Sequence, residues 1–328
     1  MRNRKVHILL PIVFLLCFSS FAQDAIMFDQ NVMKQEFMNP AYNSFKDYIS
    51  VNLMTRHQWF NKLSGSPTTY AANVYFPVNL SGFGVGVMAV NQSIGLRKKV
   101  SFSGSFSHNL RVSSFDYLAL GYGVGVQNMS YDMNKIITYP DVDLGGLELN
   151  STNLTASIGL FFYDPMFFLG LSSNFLVNSD KKYAQSGLIP GFDFTSGLMY
   201  PINDKILIRP DMVLKYYPVK MYLYENGGKQ ESKADPIFDL GLNVLLAEKL
   251  WVGTSHRFGQ AQTFSVVLNV RESFRFGYTF ELGIGKGINQ FNSHGVHLAW
   301  DIVRGRALSG FSRSGRYNNG HMNSHLYR

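Results

Sequence analysis

The feature of this sequence that most restricts its fold is an alternation of apolar with polar or small residues, repeated along most of the chain. In one example, Phe264, Val266, Leu268 and Val270 alternate with Ser265, Val267 and Asn269. A period of two places successive side chains on opposite faces of a β-strand. We count about fourteen such segments, which begin near Asp47, Ser66, Gly82, Lys99, Asp116, Asn150, Pro165, Pro190, Lys205, Asp235, Leu250, Ala261, Ser273 and Ser293.

The length of these segments and of their connections indicates a membrane barrel. Each segment runs roughly nine to fourteen residues, whereas soluble strands average about 5–6 residues and tilted membrane strands need about 9–11. Short turns follow every second segment, at 80–81, 112–115, 163–164, 202–204, 247–249 and 271–272, and most other connections are longer. Outer-membrane barrels show this asymmetry, with the short turns in the periplasm. An even strand count then places both termini in the periplasm.

Closure of the sheet dictates where polar side chains point. Lipid offers no hydrogen bonds, so a sheet spans it only without a free edge, and its charges face inward. The predicted lumen charges are Arg209, Asp211, Lys215, Asp239, Arg257, Arg275 and Glu281, joined by His297 and Asp301. Glycines and serines at 121, 123 and 125 and at 101, 103, 105 and 107 also face inward and leave space. Residues 23–46 are predicted to plug this space or to rest on the periplasmic rim.

The first 22 residues have the pattern of a signal peptide. Arg2, Arg4 and Lys5 precede an apolar stretch from Ile8 to Phe18, and Ser20 and Ala22 are the small residues before a cleavage site. We expect cleavage before Gln23 by signal peptidase after Sec export. The only cysteine, Cys17, would leave with the leader.

The net positive charge of the chain comes from its two ends, because acidic and basic residues balance in between. The net charge is +8; removing the leader leaves 27 basic and 22 acidic residues, and the tail from 303 to 328 carries five arginines and no acid. The body is therefore neutral, and nucleic-acid binding is not indicated. The tail arginines, Arg304, Arg306, Arg313, Arg316 and Arg328, are either a docking site for an acidic partner or anionic lipid, or a solvated terminus.

Catalytic and metal-binding patterns are missing from the sequence. There is no G-x-S-x-G element, and the serines alternate along strands. His321 and His325 are four apart, but the Gly, Asn and Ser around them disfavour a helix. We therefore expect a non-enzymatic protein without cofactor or metal.

Charged residues make up only 16% of the chain, against about 25% in soluble proteins, which argues against the alternative of a secreted β-sandwich. Trp59, Trp251 and Trp300 are expected to anchor strand ends at the membrane interface.

Several stretches resemble the PorP/SprF family, outer-membrane proteins of the type IX secretion system of Bacteroidetes. They are Asn39-Pro40-Ala41-Tyr42, Arg56-His57-Gln58-Trp59, the stretches at 65–69, 170–172 and 209–215, Trp251 to Arg257, and the stretches at 277–280 and 293–296. The resemblance rests on the order of these stretches, which extends over roughly residues 23–302. The chain departs from the family pattern at Gly295, where the family commonly has Glu, and in its basic tail.

The resemblance implies a role in protein export rather than a reaction. Family members support export or surface attachment of proteins with a C-terminal sorting domain, including gliding adhesins. The implied partners are periplasmic machine proteins, such as a lipoprotein or a peptidoglycan-linked adaptor, and a large secreted adhesin. The alternative is a passive porin or hydrophobic-solute channel.

The predicted architecture is all-β. It comprises a signal peptide (1–22), an N-terminal periplasmic or plug segment (23–46), an antiparallel transmembrane β-barrel of about fourteen strands (47–302) and a basic periplasmic tail (303–328). Asn39 and Pro40 are predicted to end the N-terminal segment, since proline biases the preceding residue away from helix. Arg56 and Trp59 are candidates for fastening that segment to the barrel.

Overall fold

The computed structural model describes residues 35–44, 48–60, 65–78, 82–132, 149–178, 187–217, 220–225, 228–233, 236–271, 273–285 and 290–302. The leader and the basic tail, and so their predicted boundaries, lie outside these ranges. Within the described ranges, no helix is long and apolar enough to cross a bilayer. The helical structure that is described consists of one α-helical turn, α1 (Gln35–Met38), and a 3-10 helix, Pro40–Ser44.

The remaining elements are strands. They are β1 (Ile49–His57), β2 (Thr68–Val78), β3 (Phe83–Ile94), β4 (Arg97–Arg111), β5 (Tyr117–Tyr131), β6 (Leu149–Tyr163), β7 (Phe167–Asn178), β8 (Gly187–Leu198), β9 (Tyr200–Asn203), β10 (Ile206–Tyr216), β11 (Lys220–Glu225), β12 (Gly228–Lys233), β13 (Ile237–Leu246), β14 (Leu250–Arg257), β15 (Ala261–Arg271), β16 (Phe274–Gly283) and β17 (Ser293–Ile302).

The main sheet closes on itself into a barrel of 14 antiparallel strands. Neighbours in sequence pair around the ring from β1 to β8, then β8 pairs with β10, β10 with β13, and β13 to β17 follow in order. The ring closes where β17 pairs with β1 over the whole length of β1. β9 extends β8 past Met199, and β11 and β12 form a separate hairpin. Closure leaves the barrel without a free edge, as a bilayer requires.

The two ends of the barrel differ. We call the end with the connections 79–82, 112–116, 164–166, 204–205, 247–249 and 272–273 the short-turn end. The other, the long-loop end, carries the longer connections 58–67, 132–148, 179–186, 217–236 and 284–292, and two tight turns at 95–96 and 258–260. β1 begins and β17 ends at the short-turn end. The predicted alternation of short and long connections is therefore observed.

Alternating exposure identifies the two faces of the barrel wall. In β5, Tyr122, Val124 and Val126 are 55%, 71% and 45% exposed, while Gly121 and Gly123 between and beside them are buried. The same pattern holds in β15. Apolar side chains therefore cover the outer face, where lipid contacts them, and small or polar ones line the lumen.

This arrangement predicts a large cost for a charge on the outer face. Val124→Arg is expected to destabilise the barrel by about 2–4 kcal/mol, because the arginine would lie in the hydrocarbon layer. Val112→Arg is the matched control, since Val112 is similarly exposed (62%) but lies in a turn, where the change should stay within about 0.5 kcal/mol. Urea unfolding in lipid vesicles measures both. Equal effects of the two variants would contradict the assignment of the outer face.

The predicted strand positions agree with the structure. All fourteen observed barrel strands begin within three residues of the predicted starts. One side-chain prediction is wrong, because Trp251 is only 1% exposed and lies inside the barrel. The alternation of β14 predicts the inward position of Trp251 correctly. Trp251 lies six residues before Arg257, and an even separation places both side chains on the inner face. Trp300, 57% exposed at the short-turn end of β17, has the predicted outward position.

Candidate functional site in the barrel lumen

The described N-terminal segment, residues 35–44, lies against the inner wall of the barrel. Every residue from Phe37 to Ser44 is buried. The 3-10 helix packs against β3, β4, β5 and β6, on the half of these strands near the short-turn end. Residues 35–44 are the described part of the predicted segment 23–46, and whether that whole segment plugs the barrel or rests on its rim stays a prediction.

The sequence Asn39-Pro40-Ala41-Tyr42 explains the local fold of this segment. The Asn39 side chain accepts a hydrogen bond from the Ala41 backbone N–H at 2.9 Å, and the Tyr42 N–H donates to the Asn39 carbonyl at 3.1 Å. Asparagine at a helix N-cap accepts such bonds, and proline suits the first helical position because its φ is already helical. The motif therefore ends α1 and starts the 3-10 helix.

Glycines of the barrel wall make room for this helix. A Cβ on Gly121 would overlap the Pro40 and Ala41 backbone, and one on Gly86 would lie 2.6 Å from the Asn43 amide nitrogen. Cβ atoms at Gly84 and Gly159 would meet Asn43 and Asn39. Because any other residue would displace the segment, these inward glycines form a cradle matched to residues 39–44.

Hydrogen bonds fix the segment in its cradle. The Asn39 amide donates to the Leu160 carbonyl at 2.9 Å, and the Ser172 hydroxyl donates to the Met38 carbonyl at 3.1 Å. The Asn43 amide donates to Ser105 Oγ at 2.6 Å. These bonds tie ten residues to β4, β6 and β7, so the segment is held across several strands rather than along one.

An apolar cluster fills the lumen at the short-turn end. The Tyr42 ring contacts Phe161 edge to face, with centroids 5.3 Å apart. The cluster continues around the wall through β5, β6, β7, β10, β13, β14 and β15; its members are Ala41, Tyr42, Ala119, Phe161, Tyr163, Phe168, Met199, Leu207, Leu245, Trp251 and Val267. Side chains from seven of the fourteen strands, together with Met199 between β8 and β9, therefore meet inside the barrel.

A second apolar cluster lies deeper in the lumen. Phe37 and Met38 pack with Met54, Ala71 and Val90 of β1 to β3. Val213 of β10, from the far side of the ring, belongs to the same cluster. The segment therefore bridges opposite walls of the barrel.

Charged side chains fill the lumen at the long-loop end. Glu281 accepts hydrogen bonds from Arg56 at 2.9 and 3.0 Å and from Arg257 at 2.8 Å, and Arg257 also lies 3.5 Å from Asp239. All four side chains are at most 8% exposed. The cluster joins β1, β13, β14 and β16, with two positive and two negative charges in balance.

Gly295, the position where the chain departs from the family pattern, faces this cluster. Gly295 of β17 pairs directly with Arg56 of β1. The carboxylate that binds Arg56 comes instead from Glu281 on the next strand. Position 295 supplies no carboxylate here, and the arginine opposite it binds a carboxylate of β16.

Two further ion pairs lie towards the short-turn end of the barrel. Arg275 donates to Asp301 at 3.1 Å, and Ser50 donates to the same carboxylate oxygen at 2.5 Å. Arg209 lies 3.7 Å from Asp211. The Arg209 guanidinium also stacks over the Phe168 ring at 4.9 Å, a cation–π contact. Asp211 in turn accepts a 2.6 Å hydrogen bond from Asn243, a residue that sequence analysis did not select.

A tyrosine covers another lumenal carboxylate near the long-loop end. Tyr217, just past β10, donates to Asp193 of β8 at 2.8 Å, and Asn174 of β7 donates to the same oxygen at 3.2 Å. Burial, together with this carboxylate, raises the pKa of Tyr217 well above its ordinary value. The phenol therefore stays protonated and acts as the donor.

The structure places all nine predicted lumen charges on the inner wall. Each is at most 6% exposed: Arg209, Asp211, Lys215, Asp239, Arg257, Arg275, Glu281, His297 and Asp301. Asn39 and Pro40 lie at the junction of α1 and the 3-10 helix, and the segment continues beyond them to Ser44 rather than ending at this pair. Arg56 binds Glu281 near the long-loop end, and Trp59 lies in the adjoining loop, where its carbonyl accepts a bond from Ser66. A fastening role for these two residues stays a prediction, and the five tail arginines lie outside the described residues.

The chemistry of the lumen is that of a packed interior. Among the described residues, no group of three or more His, Cys, Asp or Glu could hold a metal ion. The ion pairs of Glu281 and of Asp301 join different strands, and the second apolar cluster joins opposite walls. The arrangement holds the N-terminal segment and stiffens the barrel.

Comparison with known proteins gives a family and a fold. Residues 20–299 match the family model described as "Type IX secretion system membrane protein PorP/SprF". No curated protein matches the chain in sequence. Among solved structures, the P. putida toluene transporter TodX has 10% identity and a TM-score of 0.46, and covers 81% of this chain and 93% of its own. The CymD monoaromatic hydrocarbon channel has 10% identity and a TM-score of 0.47, and the match covers 85% of this chain and 95% of that one. A Pseudomonas aeruginosa FadL homologue has 9% identity and a TM-score of 0.45, and the match covers 85% of this chain and 94% of that one.

The closed 14-stranded ring, its apolar outer face and its polar lumen define an outer-membrane β-barrel protein. The family match spans most of the ring and includes the N-terminal segment that fills it. The chain belongs to the PorP/SprF family of type IX secretion system membrane proteins.

Proposed function

We propose that the protein is a non-enzymatic component of the type IX secretion system that acts through protein–protein contacts. It would support export or surface attachment of sorting-domain proteins, including gliding adhesins. The family match supports the system, and one structural observation supports the mode of action: the lumen is occupied by residues 37–44 and by side chains that meet across it. A secreted chain would therefore pass beside this barrel rather than through it.

The asymmetry of the barrel supports an orientation. Short turns of outer-membrane barrels face the periplasm, so the short-turn end would be periplasmic after Sec export and leader cleavage. The described chain enters and leaves the barrel at this end. The basic tail would then start in the periplasm, where Arg304, Arg306, Arg313, Arg316 and Arg328 are the proposed docking site for an acidic machine protein. The partner would be a lipoprotein or a peptidoglycan-linked adaptor, with a large adhesin as client.

The runner-up, a passive porin or hydrophobic-solute channel, needs a path through the barrel. The apolar cluster around Tyr42 and the charged cluster around Glu281 occupy the two ends of the lumen. A channel would have to displace both.

The test combines a pull-down with a conductance measurement. We expect the tagged protein, solubilised from its native outer membrane, to co-purify with periplasmic machine proteins or a sorting-domain protein, and its purified form to give no steady conductance in planar bilayers. Gene deletion should abolish export of the client. Changing the five tail arginines to glutamine should weaken the pull-down and leave the heat-modifiable gel mobility of a folded barrel.

The opposite outcome assigns the protein to the other class. A barrel that purifies alone and conducts ions would contradict the secretion role. A pull-down unaffected by the tail changes would contradict tail docking while leaving the secretion role intact.

A further inference from the structure

An apolar recess interrupts the outer surface of the barrel at β1, β2 and β3. Its volume is about 460 Å³. Ala72 of β2 and Ala89 of β3 are directly paired and form its floor, because their side chains are short. Larger neighbours raise the rim; they are Leu53, Tyr70, Val100, Val296 and Leu298. The recess lies on the face that contacts lipid, so its occupant comes from within the membrane.

A row of polar residues borders the recess towards the long-loop end. The row contains His294, His57, Thr68, Ser93 and Lys98, which are cross-strand partners in that order from β17 to β4. Each lies two residues beyond a residue that lines the recess, and therefore on the same outer face. Ser93 and Lys98 are exposed. The row includes a cation and no acid.

We propose that the recess and this polar row form a binding site for one anionic phosphorylated lipid. One acyl chain fills the recess over Ala72 and Ala89, where its methylene groups make van der Waals contacts with the barrel wall. The headgroup phosphate lies at the polar row, where Lys98 supplies the opposite charge and Ser93 a hydrogen-bond donor. The spacing supports this pairing, because an apolar pocket directly below a cationic row matches the order of chain and phosphate in a membrane lipid.

The positive charge of Lys98 favours a lipid over a protein segment as the occupant of the recess. A transmembrane segment of a partner would also fill an apolar recess, but it would gain nothing from a cation placed directly beyond it. The row at Lys98 favours a phosphate. The proposal concerns the outer wall and does not depend on the secretion role.

Native mass spectrometry of the purified full chain tests the site. The probes are phosphatidylglycerol and phosphatidylcholine with the same acyl chains. We expect the wild-type protein to retain one phosphatidylglycerol in preference to phosphatidylcholine. Lys98→Gln should weaken phosphatidylglycerol binding about fivefold and remove the preference, since one basic residue near an anionic surface contributes on this scale. Ala72→Leu with Ala89→Leu fills the recess and should abolish retention of either lipid.

Two matched variants serve as controls. Gly104→Leu adds a leucine side chain to the outer face of β4 outside the recess, where a Cβ meets nothing within 4 Å. Lys249→Gln removes a lysine at the short-turn end. Both should bind like wild type, and heat-modifiable mobility reports folding of every variant.

Three lipid-binding results would overturn the proposal. They are equal retention of the two lipids by the wild type, unchanged binding by Lys98→Gln, and loss of binding by Gly104→Leu equal to that of the recess-filling variant. A dimer that the recess-filling variant abolishes would assign the surface to a second copy and overturn it as well. Lys98→Gln decides the matter even if the double variant does not fold.

Discussion

Glu281→Ala is expected to lower the free energy of unfolding by about 3–5 kcal/mol, because two buried arginines lose the carboxylate that they both contact. Glu281 accepts hydrogen bonds from Arg56 and Arg257, and both guanidinium groups are at most 4% exposed. The contact between Arg257 and Asp239, at 3.5 Å, is longer than the 2.8 Å bond that Arg257 loses. Urea unfolding of the barrel in lipid vesicles, followed by tryptophan fluorescence, measures the change.

Glu248→Ala is the matched control for this prediction. Glu248 is exposed in the turn between β13 and β14, and its removal should change stability by no more than about 0.5 kcal/mol. Replacing the triad of Arg56, Arg257 and Glu281 by apolar residues of similar size should recover much of the loss, since no buried charge of the three would remain. A single Glu281→Ala effect no larger than that of Glu248→Ala would contradict a desolvated charge cluster.

Gly121→Val is expected to expel the N-terminal segment from its cradle. A Cβ at Gly121 overlaps the backbone of Pro40 and Ala41, and overpacking of this kind costs about 1–3 kcal/mol. Because the barrel wall is held by its own strand pairing, the strain should be relieved by movement of the segment. A disulfide between Asn43→Cys and Ser105→Cys reports the docked state, since Asn43 Nδ2 and Ser105 Oγ are 2.6 Å apart.

The cross-link should form readily in the otherwise wild-type protein and much less with Gly121→Val. Gly104→Val is the control, because Gly104 lies on the neighbouring strand but a Cβ there meets nothing within 4 Å. If the segment blocks the lumen, Gly121→Val should also raise conductance in planar bilayers. An undiminished cross-link would show that the glycine cradle does not position the segment.

These two experiments test the two ends of the filled lumen. Glu281 joins strands at the long-loop end, and Gly121 holds the segment that packs into the apolar cluster at the short-turn end. Together they test whether the lumen is filled at both ends, on which the proposed role in protein contacts rather than in transport depends.

Strand number, strand position and the direction of most side chains follow from the sequence, because they depend on a local period of two. The phase of the alternation placed Arg209 and Arg257 inside and Val266 outside without any knowledge of strand pairing. The same rule applies to Trp251, where the expectation of an interface anchor relied on residue type instead of phase. Asn39-Pro40 also encodes its own turn, since an N-cap and a helical first residue are local features.

Partners within the lumen could not be obtained in this way. Arg56 and Glu281 are 225 residues apart in sequence, and Asn39 and Leu160 are 121 apart. From the sequence alone, Gly121 is only a small inward residue, because its role depends on the second segment of chain that packs against it. Tyr42 and Trp251 belong to one apolar cluster only because ring closure brings distant strands around a common interior.

The sequence by itself determined that this chain forms long amphipathic strands with a lipid-compatible face, since each strand carries its pattern within about ten residues. Only the tertiary structure decided that the lumen is filled, that Glu281 serves two arginines and that the glycines form a cradle. Periodicity sets the face on which a side chain lies, but the contact it makes there depends on the register and closure of the whole ring.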